Sequence, residues 1–144
     1  MFRLHNIIGL AIFIATVIIA LLLTGSLAMH ADILSFFIIV LPMVSYSLIS
    51  RPPIPFEKIL LIEPLNPQDS AVAASYFQGL GNVSLCLGAW GVVVGTIVII
   101  ANLSDLNAIG PGLAVALITL AYSLVAYFVT YSFRKYYEYR SLVQ

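Results

Sequence analysis

Two stretches of this chain carry no charge at all, Leu85 to Ala101 and Leu113 to Phe133. At about 1.5 Å per residue, each is long enough as a helix to cross a hydrocarbon core roughly 30 Å thick. Inside lipid every backbone N–H and C=O must be satisfied within the segment, and a helix does that. The polar segment Asn102–Ala108 joins the two, and Gly110-Pro111-Gly112 opens the second. Gly88, Gly91 and Gly95 remove side chains from one side of the first helix, so another backbone can approach closely there. That side is expected to face protein, not lipid.

The rest of the chain fits the same solvent. Of 144 residues, 62% are hydrophobic and 8% charged, with a mean hydropathy of +1.09, which is too apolar for a soluble globular domain. Ile7–Leu27 reads as a first span, longer than the roughly 7–15 residue core of a signal peptide, although Ser26-Leu27-Ala28 would pass as a cleavage site. Ile33–Ile49 reads as a second span that must accommodate Pro42. The expectation is an all-α polytopic protein, residues 1–144 forming one four-helix transmembrane domain. Residues 50–78 form a short connecting segment whose prolines hold off a long helix until Gln68, with Asp69 or Ser70 as the next N-cap.

Orientation follows from the cations. Arg3, Arg51, Lys58, Arg134, Lys135 and Arg140 all lie in the N-terminal, middle and C-terminal polar segments, whereas the hairpin loops carry only Asp32 and Asp105. The positive-inside rule therefore puts both termini and residues 50–78 in the cytoplasm. A net charge of zero and the lack of a basic run exclude nucleic acid as a partner, leaving the lipid bilayer and other membrane helices.

No Asp, Glu, Lys, Arg or His falls inside the four spans as drawn, so a carboxylate that binds a transported ion has to come from a partner helix. Thr119, Tyr122, Ser123, Ala126, Tyr127 and Thr130 recur every three or four residues and form a polar stripe on the last span. Such a stripe suits a pore, and it equally suits hydroxyls bonded back to their own helix. His5 and His30 lie at opposite membrane faces, so no metal site is expected, nor any cofactor. The single Cys86 has no partner for an internal disulfide. No nucleophile–base set or paired catalytic carboxylates can be assembled, which argues against an enzyme.

Gly88-Ala89-Trp90-Gly91-Val92-Val93-Val94-Gly95, the loop Ala101-Asn102-Leu103-Ser104-Asp105 and Ile109-Gly110-Pro111-Gly112-Leu113-Ala114-Val115-Ala116-Leu117, continuing through Thr119 to Tyr122-Ser123, together resemble the last two spans of the MotA/TolQ/ExbB family of ion-driven channel subunits. The likeness is closest to the flagellar stator MotA branch, and Gly25-Ser26 with Asp32-Ile33-Leu34-Ser35 is similar to its first hairpin. The resemblance implies a pentameric ring in the bacterial inner membrane around a single-span partner of the MotB/ExbD kind, which brings the titrating carboxylate. It also implies that Thr119, Tyr122, Ser123, Ala126 and Thr130 line an ion path bordered by Val92 and Leu120. Val92 and Leu120 stand where the family carries hydroxyls, and residues 50–78 are too short for the large cytoplasmic domain of MotA. The reading is a stator-like subunit of a proton- or sodium-driven complex. Its alternatives are a non-conducting scaffold of the same fold and an unrelated four-span assembly factor.

Overall fold

A computed structural model describes residues 4–23, 25, 32–55, 58–59, 65–103 and 106–143. It is all-helical over those residues, with α1 at Leu4–Leu23, α2 at Ile33–Ile49, α3 at Pro67–Ala101 and α4 at Leu106–Val143. His30, Ser104 and Asp105 lie outside the described residues.

Local chemistry sets the helix ends. Asp32 caps α2, its carboxylate accepting the N–H groups of Leu34 at 3.4 Å and Ser35 at 3.0 Å. The helix runs through Pro42 and stops at Ser50, just before Arg51-Pro52-Pro53. The cap of α3 is Asn66, not Asp69 or Ser70: its side chain accepts the Asp69 N–H at 2.7 Å. Pro67 then occupies the first helical position, where its fixed φ suits the helix and its missing donor costs nothing. Helix α4 starts at Leu106, ahead of the expected Gly110-Pro111-Gly112, and runs through Pro111, which forgoes one intrahelical hydrogen bond near the start of the helix.

Helices α3 and α4, of 35 and 38 residues, each exceed 50 Å at about 1.5 Å per residue and outrun the hydrocarbon core. They form an antiparallel hairpin packed along its length, and α2 lies against both. Helix α1 touches α4 through Phe13, whose ring stacks on Phe128 at 3.7 Å between centroids.

At the end of the hairpin carrying Arg134 and Lys135 the connecting segment folds back. Ile54, Ile59 and Leu65 bury against Ala73 and Ala74 of α3 and Tyr137 of α4. Phe77 stacks between Phe133 and Tyr137, at 5.1 and 5.8 Å. The Tyr137 hydroxyl donates to the Ile59 carbonyl at 2.7 Å. Tyr137 lies past the charge-free part of α4, and burial pushes its phenol up to about 12, so it remains a neutral donor.

Candidate functional site: the three sides of the α3–α4 hairpin

The seam between α3 and α4 is built from small residues on both helices. Gly81, Ser84, Gly88, Gly91 and Gly95 of α3 are buried, and opposite them lie Gly112, Ala116, Thr119, Ser123 and Thr130 of α4, also buried. A Cβ added at Gly88 would come within 2.6 Å of the Ser123 Cβ, and one at Gly91 within 2.8 Å of the Thr119 Cβ. At Gly95 it would press on the Ala116 side chain and stand 3.1 Å from the Gly112 carbonyl oxygen. The backbones approach this closely because nothing larger than hydrogen stands between them.

The hydroxyls of the α4 stripe are spent inside the protomer. Ser123 Oγ donates to the Leu120 carbonyl at 2.8 Å, and Thr130 Oγ1 lies 2.9 Å from the carbonyls of Ala126 and Tyr127. Thr119 Oγ1 is 2.8 Å from both the Val115 carbonyl and Ser35 Oγ, and Ser35 in turn donates to the Asp32 carboxylate. The Tyr122 hydroxyl accepts the Asp32 N–H at 3.3 Å. A polar chain thus runs from the cap of α2 into α4, and Thr119 with Tyr122 belongs to the side that α2 covers. Ala126 is half-buried on the same helix. Farther along, Tyr46 of α2 packs its ring 6.4 Å from Tyr76 and lies over Gly79 of α3.

Opposite α2 the hairpin is uncovered. Ser75, Gln78, Asn82, Leu85, Ala89, Val92 and Thr96 follow one another at alternating steps of three and four along α3, all exposed except the half-buried Val92. From α4, Leu120 approaches this side beside Gly88, and the Tyr127 ring beside Gly81. Arg134 and Glu138 face Ser75 and Gln78 across a groove at its end. Val92 and Leu120 therefore border the open side, while Thr119, Ser123 and Thr130 are sealed in the seam. The polar α3 stripe escaped the sequence reading because Leu85, Ala89 and Val92 interrupt it. Its alternating three-and-four spacing was the available signal.

Around the groove, Lys135 Nζ lies 2.8 Å from Glu138 Oε2, and Arg134 Nε lies 4.0 Å from the same oxygen. The Lys135 hydrogen bond holds the Glu138 carboxyl below the ordinary carboxylate range and raises Lys135 in return. Among the described residues no three of His, Cys, Asp and Glu gather closely enough to hold a metal.

The sequence pattern of the MotA/TolQ/ExbB proton channel family matches residues 65–144, more than half of the chain and the whole α3–α4 hairpin. The chain belongs to that family. Chemotaxis protein PomA of Vibrio alginolyticus is 39% identical to it over 49 residues, which are 34% of this chain and 19% of PomA. The aligned stretch thus spans about a fifth of that relative's length. Membership gives a setting for the geometry: a family embedded in the bacterial inner membrane and named for proton conduction.

Proposed function

We propose that this protein is a stator-like subunit of an ion-driven complex, forming a ring, in the stoichiometry of a pentamer, around the helix of a single-span partner. The observation that carries this reading is the uncovered side of the α3–α4 hairpin. Helix α2 packs on one side and α1 on the flank, while the opposite side keeps Ala89, Val92 and Leu120 at mid-depth and no carboxylate among the described residues of the charge-free run. A partner helix bearing its own carboxylate completes such a site, since a charge at that depth needs a protein-lined or water-filled surrounding. Both termini lie on the cytoplasmic side, as the basic residues indicate.

Val92 and Leu120 favour a second reading. Aliphatic side chains give a dehydrated cation no oxygen ligands, so a ring lined by them at mid-depth suits a scaffold that holds the partner without conducting. Co-reconstitution with the single-span partner into proteoliposomes separates the two. Proton or sodium flux that requires both chains, from particles of five copies by native mass spectrometry, supports the stator. Intact particles without flux support the scaffold, and absence of a ring sinks both.

A further inference from the structure

Where the α3–α4 hairpin reaches its basic end, the two helices part around a cavity of about 190 Å³, room for roughly six water molecules at about 30 Å³ each. A polar headgroup fits such a space and a helix does not. Ser75 and Gln78 of α3 wall it on one side, and Arg134, Glu138 and Ser141 of α4 on the other. Lys135 Nζ lies 2.8 Å from Glu138 Oε2 and engages that carboxylate, whereas Arg134 Nε stands 4.0 Å from the same oxygen, beyond hydrogen-bond length. The guanidinium therefore keeps its N–H donors for another acceptor, and Arg134, Lys135 and Glu138 together leave the cavity with a net positive charge. The Gln78 amide is exposed and has no hydrogen-bond partner among the described residues. The hydroxyls of Ser75 and Ser141 donate to the carbonyls of Ala71 at 3.1 Å and Glu138 at 2.7 Å, which leaves their oxygens free to accept.

The cavity stands at the edge of the hydrocarbon. Arg134 is the first charge after the uncharged run of α4, and along α3 no charged residue follows Asp69. One and two turns farther into the bilayer on the same side of α4 come the phenols of Tyr131 and Tyr127, 5.9 Å apart between centroids, and Lys135 Nζ lies 5.9 Å from the Tyr131 centroid. Phenol rings and cations at one level are the composition of a membrane–water interface. Deeper still, Leu124 of α4 and Leu85 of α3 are exposed and suit acyl chains. Polar groups in the cavity, phenols at the boundary and aliphatic side chains beyond them follow the order of headgroup, backbone and chains in a phospholipid.

We infer that this cavity is a headgroup site for an anionic phospholipid, in the leaflet at the basic end of the hairpin. Arg134 takes the phosphate, in the fork geometry that guanidinium and phosphate share, and the Gln78 amide donates a further hydrogen bond. The headgroup hydroxyls of a phosphatidylglycerol donate to the Ser75 and Ser141 oxygens. A zwitterionic headgroup brings its own cation, which Arg134 and Lys135 repel and which Glu138, engaged by Lys135, draws only weakly. Basic recesses between membrane helices hold anionic headgroups for this reason. The exposed leucines beyond the phenols commit the occupant to a lipid and not to a free phosphate. The site is complete in one protomer and stands whether or not the ring forms.

The test titrates lipids onto the full chain purified in detergent and reads the adducts by native mass spectrometry. The probes are a phosphatidylglycerol and a phosphatidylcholine with identical acyl chains, and glycerol 3-phosphate as the headgroup without them. Phosphatidylglycerol is expected to bind once per protomer at about tenfold lower concentration than phosphatidylcholine, with no glycerol 3-phosphate adduct in that range. Arg134→Gln should weaken the phosphatidylglycerol adduct about tenfold, whereas Arg140→Gln, which removes a guanidinium that lies against the Tyr136 ring outside the cavity, should leave it intact. Ser75→Leu keeps every charge and puts a bulky side chain into the cavity, so it should lose the adduct as well, which a diffuse attraction to basic residues would not do. Unchanged binding in Arg134→Gln or in Ser75→Leu overturns the site. Phosphatidylcholine binding as tightly as phosphatidylglycerol overturns the anionic preference, and glycerol 3-phosphate binding at the same concentration overturns the lipid. Where Arg134→Gln does not elute as wild type on size exclusion, Ser75→Leu alone decides in the same way.

Discussion

At Gly95 the space between α3 and α4 is closed by backbone. An added Cβ meets the Ala116 side chain and the Gly112 carbonyl, neither of which can rotate away, whereas at Gly110 nothing stands within 4 Å. Gly95→Ala should therefore lower the stability of the hairpin by about 1–3 kcal/mol, and Gly110→Ala should not. Thermal unfolding in detergent micelles reads this, and equal midpoints for the two variants would place the tight approach elsewhere. Thr119 belongs to the same scale. It packs on Gly91 on one side and reaches the Ser35 hydroxyl on the other, so Thr119→Val removes the hydrogen bond into α2 while keeping the shape. A loss of about 1 kcal/mol is expected, recovered by Thr119→Ser. On the proposed stator reading, with Thr119 in the seam, ion flux per folded complex is expected to survive, and its abolition in a well-folded variant would place Thr119 in the ion path.

At the scale of elements, Tyr137 ties the connecting segment to the hairpin. Tyr137→Phe leaves the ring in place beside Phe77 but strips the Ile59 carbonyl of its donor in a buried site, which should cost about 1–3 kcal/mol. Faster proteolysis within residues 51–66 of the variant is the expected sign, and an unchanged cleavage rate would mean that the apolar contacts of Ile54, Ile59 and Leu65 hold the segment without it. How much of these elements could be read beforehand depended on what ends them. Helix α2 matched its expected Ile33–Ile49 because Asp32 and the Arg51-Pro52-Pro53 run mark its two ends in the sequence. The start of α3 was missed by a few residues because a dense proline run reads as uniformly non-helical, although Pro67 is well placed at the first position of a helix. The Gly88, Gly91 and Gly95 side was legible from size alone, since only a close neighbour makes use of missing side chains. What faces it was not, because a stripe of Thr and Ser is equally consistent with a pore lining and with a small-residue seam. Their hydrogen bonds to Leu120, Ala126 and Tyr127 carbonyls are visible only once the two helices are docked.

For the whole molecule, the heads of α2 and α4 stand at different heights. Ser35 of α2 meets Thr119, thirteen residues into α4, which is roughly 20 Å from the start of that helix at about 1.5 Å per residue. Asp32, nearly a turn beyond Ser35, thus lies on the order of 15 Å below the tip of the α3–α4 hairpin. Sequence placed both connecting loops in one outer aqueous layer; the contacts set Asp32 and the head of α2 lower, and let the head of α4 project past them. Asp32 at that level is kept by the Leu34 and Ser35 N–H groups and the Ser35 hydroxyl, a set of donors that compensates a carboxylate short of water. The heights can be compared directly in a Cys86→Ser background. Leu103 on the projecting tip is exposed at 61% and Ile33 at the head of α2 at 73%, so the isolated protomer gives no reason for them to differ. In right-side-out vesicles an impermeant thiol reagent should modify Leu103→Cys rapidly and Ile33→Cys slowly, because only the first stands in water while the second faces acyl chains. Equal rates would put Ile33 and Leu103 at one level and undo the stagger, and with it the deep placement of the Ser35–Thr119 contact that fixes α2 against one side of the hairpin.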